Sequence, residues 1–205
     1  MAVPLPDDAV ATVAEIVADV RAQVLPTGGR DVRWVRLDGL HLTLRFLGPT
    51  PPERIAPTVR AVEQAAAAAA GPMDLVLGGN GTFPDHGLPR AIWMGITEGA
   101  HALDSLAASI GGTLEAVGWA RDDRPFRPHL TLARSDGLSM GPLVAARLAA
   151  VMGERRIQCR VDHLGLFESV TGGGPARYVP VVLANLGEAS ARGHPVYHQS
   201  TPDPS

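Results

Sequence analysis

The tetrapeptide HLTL occurs twice in this 205-residue chain, at His41–Leu44 and His129–Leu132, 88 residues apart, and each copy is followed within two residues by an arginine. A β-strand turns successive side chains to opposite faces, so each copy carries His and Thr on one face and two leucines on the other. The polar pair then lies about 6.5–7 Å apart along the strand. Two such fronts facing one another would form a groove with two imidazoles and two hydroxyls. One neutral imidazole can deprotonate water, a protonated one can protonate a departing alkoxide, and the hydroxyls can hold non-bridging phosphate oxygens. This is phosphoryl chemistry that needs no metal. No HxH, HExxH or nearby-carboxylate ligand pattern accompanies either histidine, which makes a metal site the weaker reading. A single HLT segment is most often a half-buried sheet pair with satisfied hydrogen bonds. Its repetition shifts the balance toward chemistry.

The elements that must position these segments follow from hydrophobic periodicity. Residues 7–24 read as a helix: Asp7 and Asp8 open it, and Val10, Val13, Ile16, Val17, Val20 and Val24 recur at three- and four-residue steps. A short strand is predicted around Trp34 and a longer one over 40–47. A helix over 51–70 follows, with Pro57 in its early part and an alanine run that suits helix propensity. Two apolar runs, 73–77 and 90–96, flank the turn-rich GGNGTFPDHGLP and predict paired strands. Helices are predicted over 101–117 and 142–152, and strands over 126–134, 157–167 and 177–183, the last two joined by a loop at ESVTGGGPA. The segment from Glu188 to Ser205 reads as a loosely ordered tail.

Composition closes off several classes. Hydrophobic residues make up 45% and charged residues 19%, close to the globular average, so general disorder is not expected. The net charge of −3 argues against a protein that coats long nucleic acid, while a small or end-bound nucleic-acid ligand stays open. All 18 basic residues are Arg. Without Lys there is no Schiff-base lysine, no P-loop lysine and no lysyl-adenylate. Cys159 is the single cysteine, which excludes an intramolecular disulfide, a CxxC motif and a cysteine-rich zinc site. The opening MAVPLPDDAV has neither a basic flank nor a long apolar run, so neither a signal peptide nor a membrane anchor is expected, and a cytoplasmic setting is.

WVRLDGLHLTLRFLG and RPFRPHLTLAR resemble the paired HxTx signatures of the 2H phosphoesterases. VPLPDDAV, GNGTFPDHGLPRAIWMGI and LGLFESVTGGGPARYVPV are similar to further segments of one branch, the RNA 2′,3′-cyclic phosphodiesterases, historically called 2′-5′ RNA ligases. The resemblance runs from about residue 3 to about residue 186. It implies an α+β bilobal fold over residues 1–187, with two antiparallel sheets and outer helices around a central groove, related by a pseudo-twofold duplication. It also implies His41 and His129 as the acid/base pair, Thr43 and Thr131 on the phosphate, Arg134 as a phosphate contact and Phe46 beside the terminal base. Family members usually carry several residues of a first strand before the LPLP-like segment, whereas this sequence opens almost directly on it, which leaves two readings: a start codon assigned late or a shortened first strand.

The function implied is opening of a 2′,3′-cyclic phosphate on an RNA 3′ end or a small cyclic nucleotide, leaving a 2′-phosphate. No cofactor, no metal and no obligate protein partner are implied, and a monomer is expected. Two alternatives stand beside it: reversible 2′-5′ ligation of RNA halves, which uses the same site with a 5′-hydroxyl in place of water, and a non-catalytic module that binds RNA ends. A binder has no need of a paired acid and base. His86, His101 and His163 read as structural, and His194 and His198 as solvated. Arg127 is divided between groove and surface, Ser169 has no identifiable partner for a nucleophilic role, and TGGG at 171–174 reads as a turn.

Overall fold

A computed structural model of the chain describes residues 1–24, 31–136, 140–172 and 174–188. The expected tail, with His194 and His198, lies outside these residues except for Glu188. The described elements run in the order β1 (Ala2–Pro4), α1 (Asp7–Val24), β2 (Val32–Trp34), β3 (His41–Thr43), α2 (Pro52–Ala67), β4 (Met73–Phe83), β5 (Ala91–Glu98), α3 (Ala100–Ala116), β6 (His129–Ser135), α4 (Met140–Met152), β7 (Arg156–Val161), β8 (His163–Gly172) and β9 (Gly174–Asn185). They build two sheets, a four-stranded one in the order β3-β1-β8-β9 and a five-stranded one in the order β2-β6-β5-β4-β7. Every pairing in both is antiparallel.

Each sheet carries helices on its outer side. In α1 the buried Ala9, Val13, Ile16, Val17, Val20 and Val24 form one stripe, which packs on α4 and β7. On the other lobe α2 lies on β8 and β9 and against α3. Ala61, Ala65 and Ala66 of α2 are buried to 2% exposure or less. The alanine run therefore serves close packing as well as helix propensity. Pro57 falls in the second turn of α2, where the carbonyl it leaves without a partner belongs to the exposed Glu53.

Four expectations change in extent. The strand expected over 40–47 is only three residues long, because its ladder ends with β1: the amides of Leu44 and Arg45 both donate to the Met1 carbonyl (3.0 and 3.2 Å). The turn expected after residue 77 is a continuation of β4 to Phe83, through a bulge in which Gly79 has φ +65°. The run 157–167 is two strands broken at Asp162, β7 in one sheet and β8 in the other. A continuous apolar run contains no mark of a change of sheet. The loop expected at ESVTGGGPA is the end of a long β8–β9 hairpin.

Candidate active site

β3 and β6 each bring one HLTL copy to the space between the sheets. Leu42 and Leu130 are buried at 1% exposure or less, with Leu44 and Leu132 behind the same faces. The opposite faces line a single groove of about 990 Å³ that includes His41, Thr43, His129 and Thr131. Phe46 and Arg134 line it as well, so all six residues singled out from sequence meet in one cavity.

The two imidazoles are held in matching ways. His41 Nδ1 lies 2.7 Å from the carbonyl of Gly39, and His129 Nδ1 lies 2.6 Å from the carbonyl of Arg127. Each partner is two residues upstream. A carbonyl can only accept, so each Nδ1 carries the hydrogen and Nε2 is left as the ring nitrogen for a ligand. Burial pushes both rings below the ordinary imidazole value, although the carbonyl bonds act in the opposite direction. Beside His129 the Arg127 and Arg134 guanidinium groups add to the lowering. Among the described residues no three His, Cys, Asp or Glu side chains are grouped to hold a metal ion.

Arg134 reaches the groove through a bulge. Trp93 pairs with Thr131 but its neighbour Ile92 pairs with Ala133, so Leu132 is an extra residue in β6. That insertion reverses the alternation: Ala133 is buried and Arg134 is exposed on the side of His129 and Thr131. It also accounts for the difference between HLTLR and HLTLAR, and makes Arg134 the positional counterpart of Arg45. The two arginines have diverged. Arg45 is 16% exposed, bonded to the Ala120 carbonyl (2.6 Å) and paired with Asp122 (3.2 Å), whereas no ion pair engages Arg134 among the described residues.

Sequence reading missed the aromatic walls. The rings of Phe167 (6.0 Å, stacked) and Tyr178 (4.3 Å, edge-on) flank His41, while Phe83 (4.9 Å, edge-on) and Trp93 (6.1 Å) flank His129. Each wall leans over a glycine. A Cβ on Gly81 would stand 2.9 Å from Trp93 Cε2 and closer to other indole atoms, and one on Gly165 would stand 2.7 Å from Phe167 Cζ. The signal in the sequence was scarcity: the chain has four phenylalanines, and all four line the groove. Phe46 is 70% exposed, which excludes a core role for it.

Arg127 has a definite place. Its guanidinium sits 4.7 Å over the Phe83 ring and bonds the Asp85 carboxylate at 2.9–3.0 Å, while its carbonyl holds His129. Ser169 also lines the groove, opposite Tyr178 on β9. The lining counts six arginines against three carboxylates, a local basic excess in a chain of net charge −3. Such a cleft attracts a compact anion without coating long nucleic acid.

Residues 5–173 match the family model described as the 2′-5′ RNA ligase superfamily. An RNA 2′,3′-cyclic phosphodiesterase of Geobacillus stearothermophilus is 37% identical over 134 residues, 65% of this chain. The chain spans only 40% of that relative's length. An RNA 2′,3′-cyclic phosphodiesterase of Aeropyrum pernix is 30% identical over 149 residues, 72% of this chain and 82% of that protein. A crystal structure of a Thermus thermophilus protein superposes with a TM-score of 0.68 at 29% identity, covering 91% of this chain and 96% of that one.

Proposed function

Because the chain belongs to the 2′-5′ RNA ligase superfamily, the 2H phosphoesterases, we propose that it is a metal-independent hydrolase of 2′,3′-cyclic phosphates at RNA ends. The observation that carries this reading is the pair of matched imidazoles, each with Nδ1 committed to a backbone carbonyl and Nε2 left for chemistry in one groove. His129 acts as base. Its Nε2 takes a proton from water while the water oxygen forms a bond to phosphorus. The P–O3′ bond breaks in line with that attack, and His41, entering as the imidazolium, gives its proton to O3′. The product carries a 2′-phosphate and a 3′-hydroxyl. Burial, with the Arg127 and Arg134 guanidinium groups adding to it, favours the neutral form of His129 that a base requires; burial lowers His41 as well, and the anionic phosphate is what stabilises its imidazolium in the complex.

Thr43 and Thr131 hold the non-bridging oxygens, and Arg134 supplies the charge that meets the developing dianion. Phe46, largely exposed at the groove, offers a ring face to the terminal base, and stacking accepts any base. Ligation is the same ring-opening step with an RNA 5′-hydroxyl attacking phosphorus in place of water, the P–O3′ bond breaking as before and a 2′-5′ phosphodiester forming. Water at about 55 M favours hydrolysis unless the second RNA is held in place.

The test is to incubate pure protein with an RNA ending in a 2′,3′-cyclic phosphate and identify the product by mass and phosphatase sensitivity. The expected product is heavier by one water and its terminal phosphate becomes phosphatase-sensitive. Unchanged substrate, or binding without turnover, would overturn the proposal in favour of a binding module.

A further inference from the structure

The groove is longer than the phosphate chemistry needs. Besides the two HLTL fronts and Phe46 its lining includes one face of α3, from Asp104 to Glu115, and residues of the segment 121–126 that follows the helix. That helix face is about 16 Å long at 1.5 Å per residue. A stacked strand advances about 3.4 Å per nucleotide, so the wall exceeds one nucleotide. Gly111 and Gly112 sit in this face, and a Cβ on either would meet nothing within 4 Å.

The lining segment after α3 is built in advance. Arg45 bonds the Ala120 carbonyl and pairs with Asp122, and Arg54 bonds the Gly118 carbonyl at 2.6 Å while lying 4.5 Å over the Trp119 ring. Trp119 in turn donates Nε1–H to the buried Thr58 hydroxyl at 2.9 Å. These ties fix the segment from which Arg121 and Phe126 line the groove. Asp122 is occupied by Arg45 and Arg124, whereas no ion pair engages Arg121 among the described residues. Asp104 and Glu115 stand at the two ends of the α3 face, so a phosphate in this space must lie toward Arg121 rather than toward the helix.

We infer that this extension is a second nucleotide subsite: it takes the nucleotide immediately 5′ of the terminal one, with the connecting phosphodiester toward Arg121 and the sugar against Gly111 and Gly112. The inference rests on the proposed cyclic phosphodiesterase activity. It makes the substrate an oligonucleotide end rather than a free cyclic mononucleotide. Binding energy from this remote nucleotide is then available to orient the reacting phosphate.

The experiment compares kcat/KM for a nucleoside 2′,3′-cyclic monophosphate with that for a dinucleotide ending in the same cyclic phosphate. In the wild-type protein the dinucleotide is expected to be better by about tenfold or more. Gly112→Leu, whose side chain enters open groove, and Arg121→Ala should each remove most of that advantage and leave the mononucleotide rate within about twofold. Equal kcat/KM for the two substrates would overturn the subsite, as would a Gly112→Leu protein that keeps the full dinucleotide advantage. Absence of turnover on both substrates is a different result: it overturns the hydrolase reading, and the subsite falls with it.

Discussion

Gly81→Ala adds one methyl group to a residue expected to touch no substrate, and it should cut turnover sharply. The new Cβ would stand 2.9 Å from Trp93 Cε2 and closer still to neighbouring indole carbons. Carbon atoms rest at about 3.5–4.0 Å, so the ring must retreat by roughly 1 Å. Among the described residues no hydrogen bond holds it, since Trp93 Nε1 is buried without a partner, and the ring is kept in place by its neighbours alone. The retreating indole displaces Phe83 (5.3 Å between centroids) and His129 (6.1 Å), the two rings it supports. Overpacking of this kind costs about 1–3 kcal/mol. For a chain of this size that lowers Tm by roughly 2–12 °C. A displacement near 1 Å at a proton-transfer group can cost up to about a hundredfold in rate. The assay pairs thermal melting with single-turnover hydrolysis of an RNA 2′,3′-cyclic phosphate at a temperature where the variant is folded. Gly172→Ala, whose Cβ meets nothing within 4 Å, is the control and should behave as wild type. Adding Trp93→Phe to Gly81→Ala should recover part of both losses, a non-additive result that marks the contact as the cause. Wild-type rates in a stably folded Gly81→Ala protein would refute the idea that the indole wall positions His129.

Five further outcomes are expected. Exhaustive EDTA treatment should leave activity intact and added Mg²⁺, Mn²⁺ or Zn²⁺ should not raise it; activity lost to chelator and restored by one metal would sink the two-histidine mechanism. Thr43→Ala and Thr131→Ala should each lose roughly ten- to a thousandfold in turnover, His41→Ala and His129→Ala more, and the double histidine variant little more than the worse single one, because acid and base act in one step. Sequence alone suggests a bell-shaped profile with apparent pKa values on either side of about 6.5, but burial lowers both imidazoles, so the maximum of kcat/KM should fall below pH 6.5, and a maximum at pH 8 would contradict it. The same shifts mean that the unfolded chain binds more protons just below pH 6.5, so melting temperature should drop as pH falls from 6.5 through the folded-state values. A substrate with a good leaving group at O3′ should rescue His41→Ala and not His129→Ala; the reverse pattern exchanges acid and base.

Much of the site could be read without coordinates because strand alternation is a local property. HLTL dictates an apolar back and a His/Thr front wherever it is extended, and its recurrence doubles the front. The α1 stripe was legible for the same reason, with its period written in consecutive residues. Even the carbonyls that fix both tautomers belong to residues only two positions upstream, although their orientation needed the fold. What the tertiary structure decided lies in pairings between distant segments. Leu132 is extra only because β5 spaces its partners as it does, and that single insertion turns Arg134 into the groove. The aromatic walls come from β4, β5, β8 and β9, and the strap on the segment after α3 reaches from Arg45 and Arg54. No short-range pattern encodes these contacts, because which strands share a sheet depends on how all the apolar faces are buried at once. Composition gave a chain of net negative charge, and only folding gathered six of its arginines around one groove.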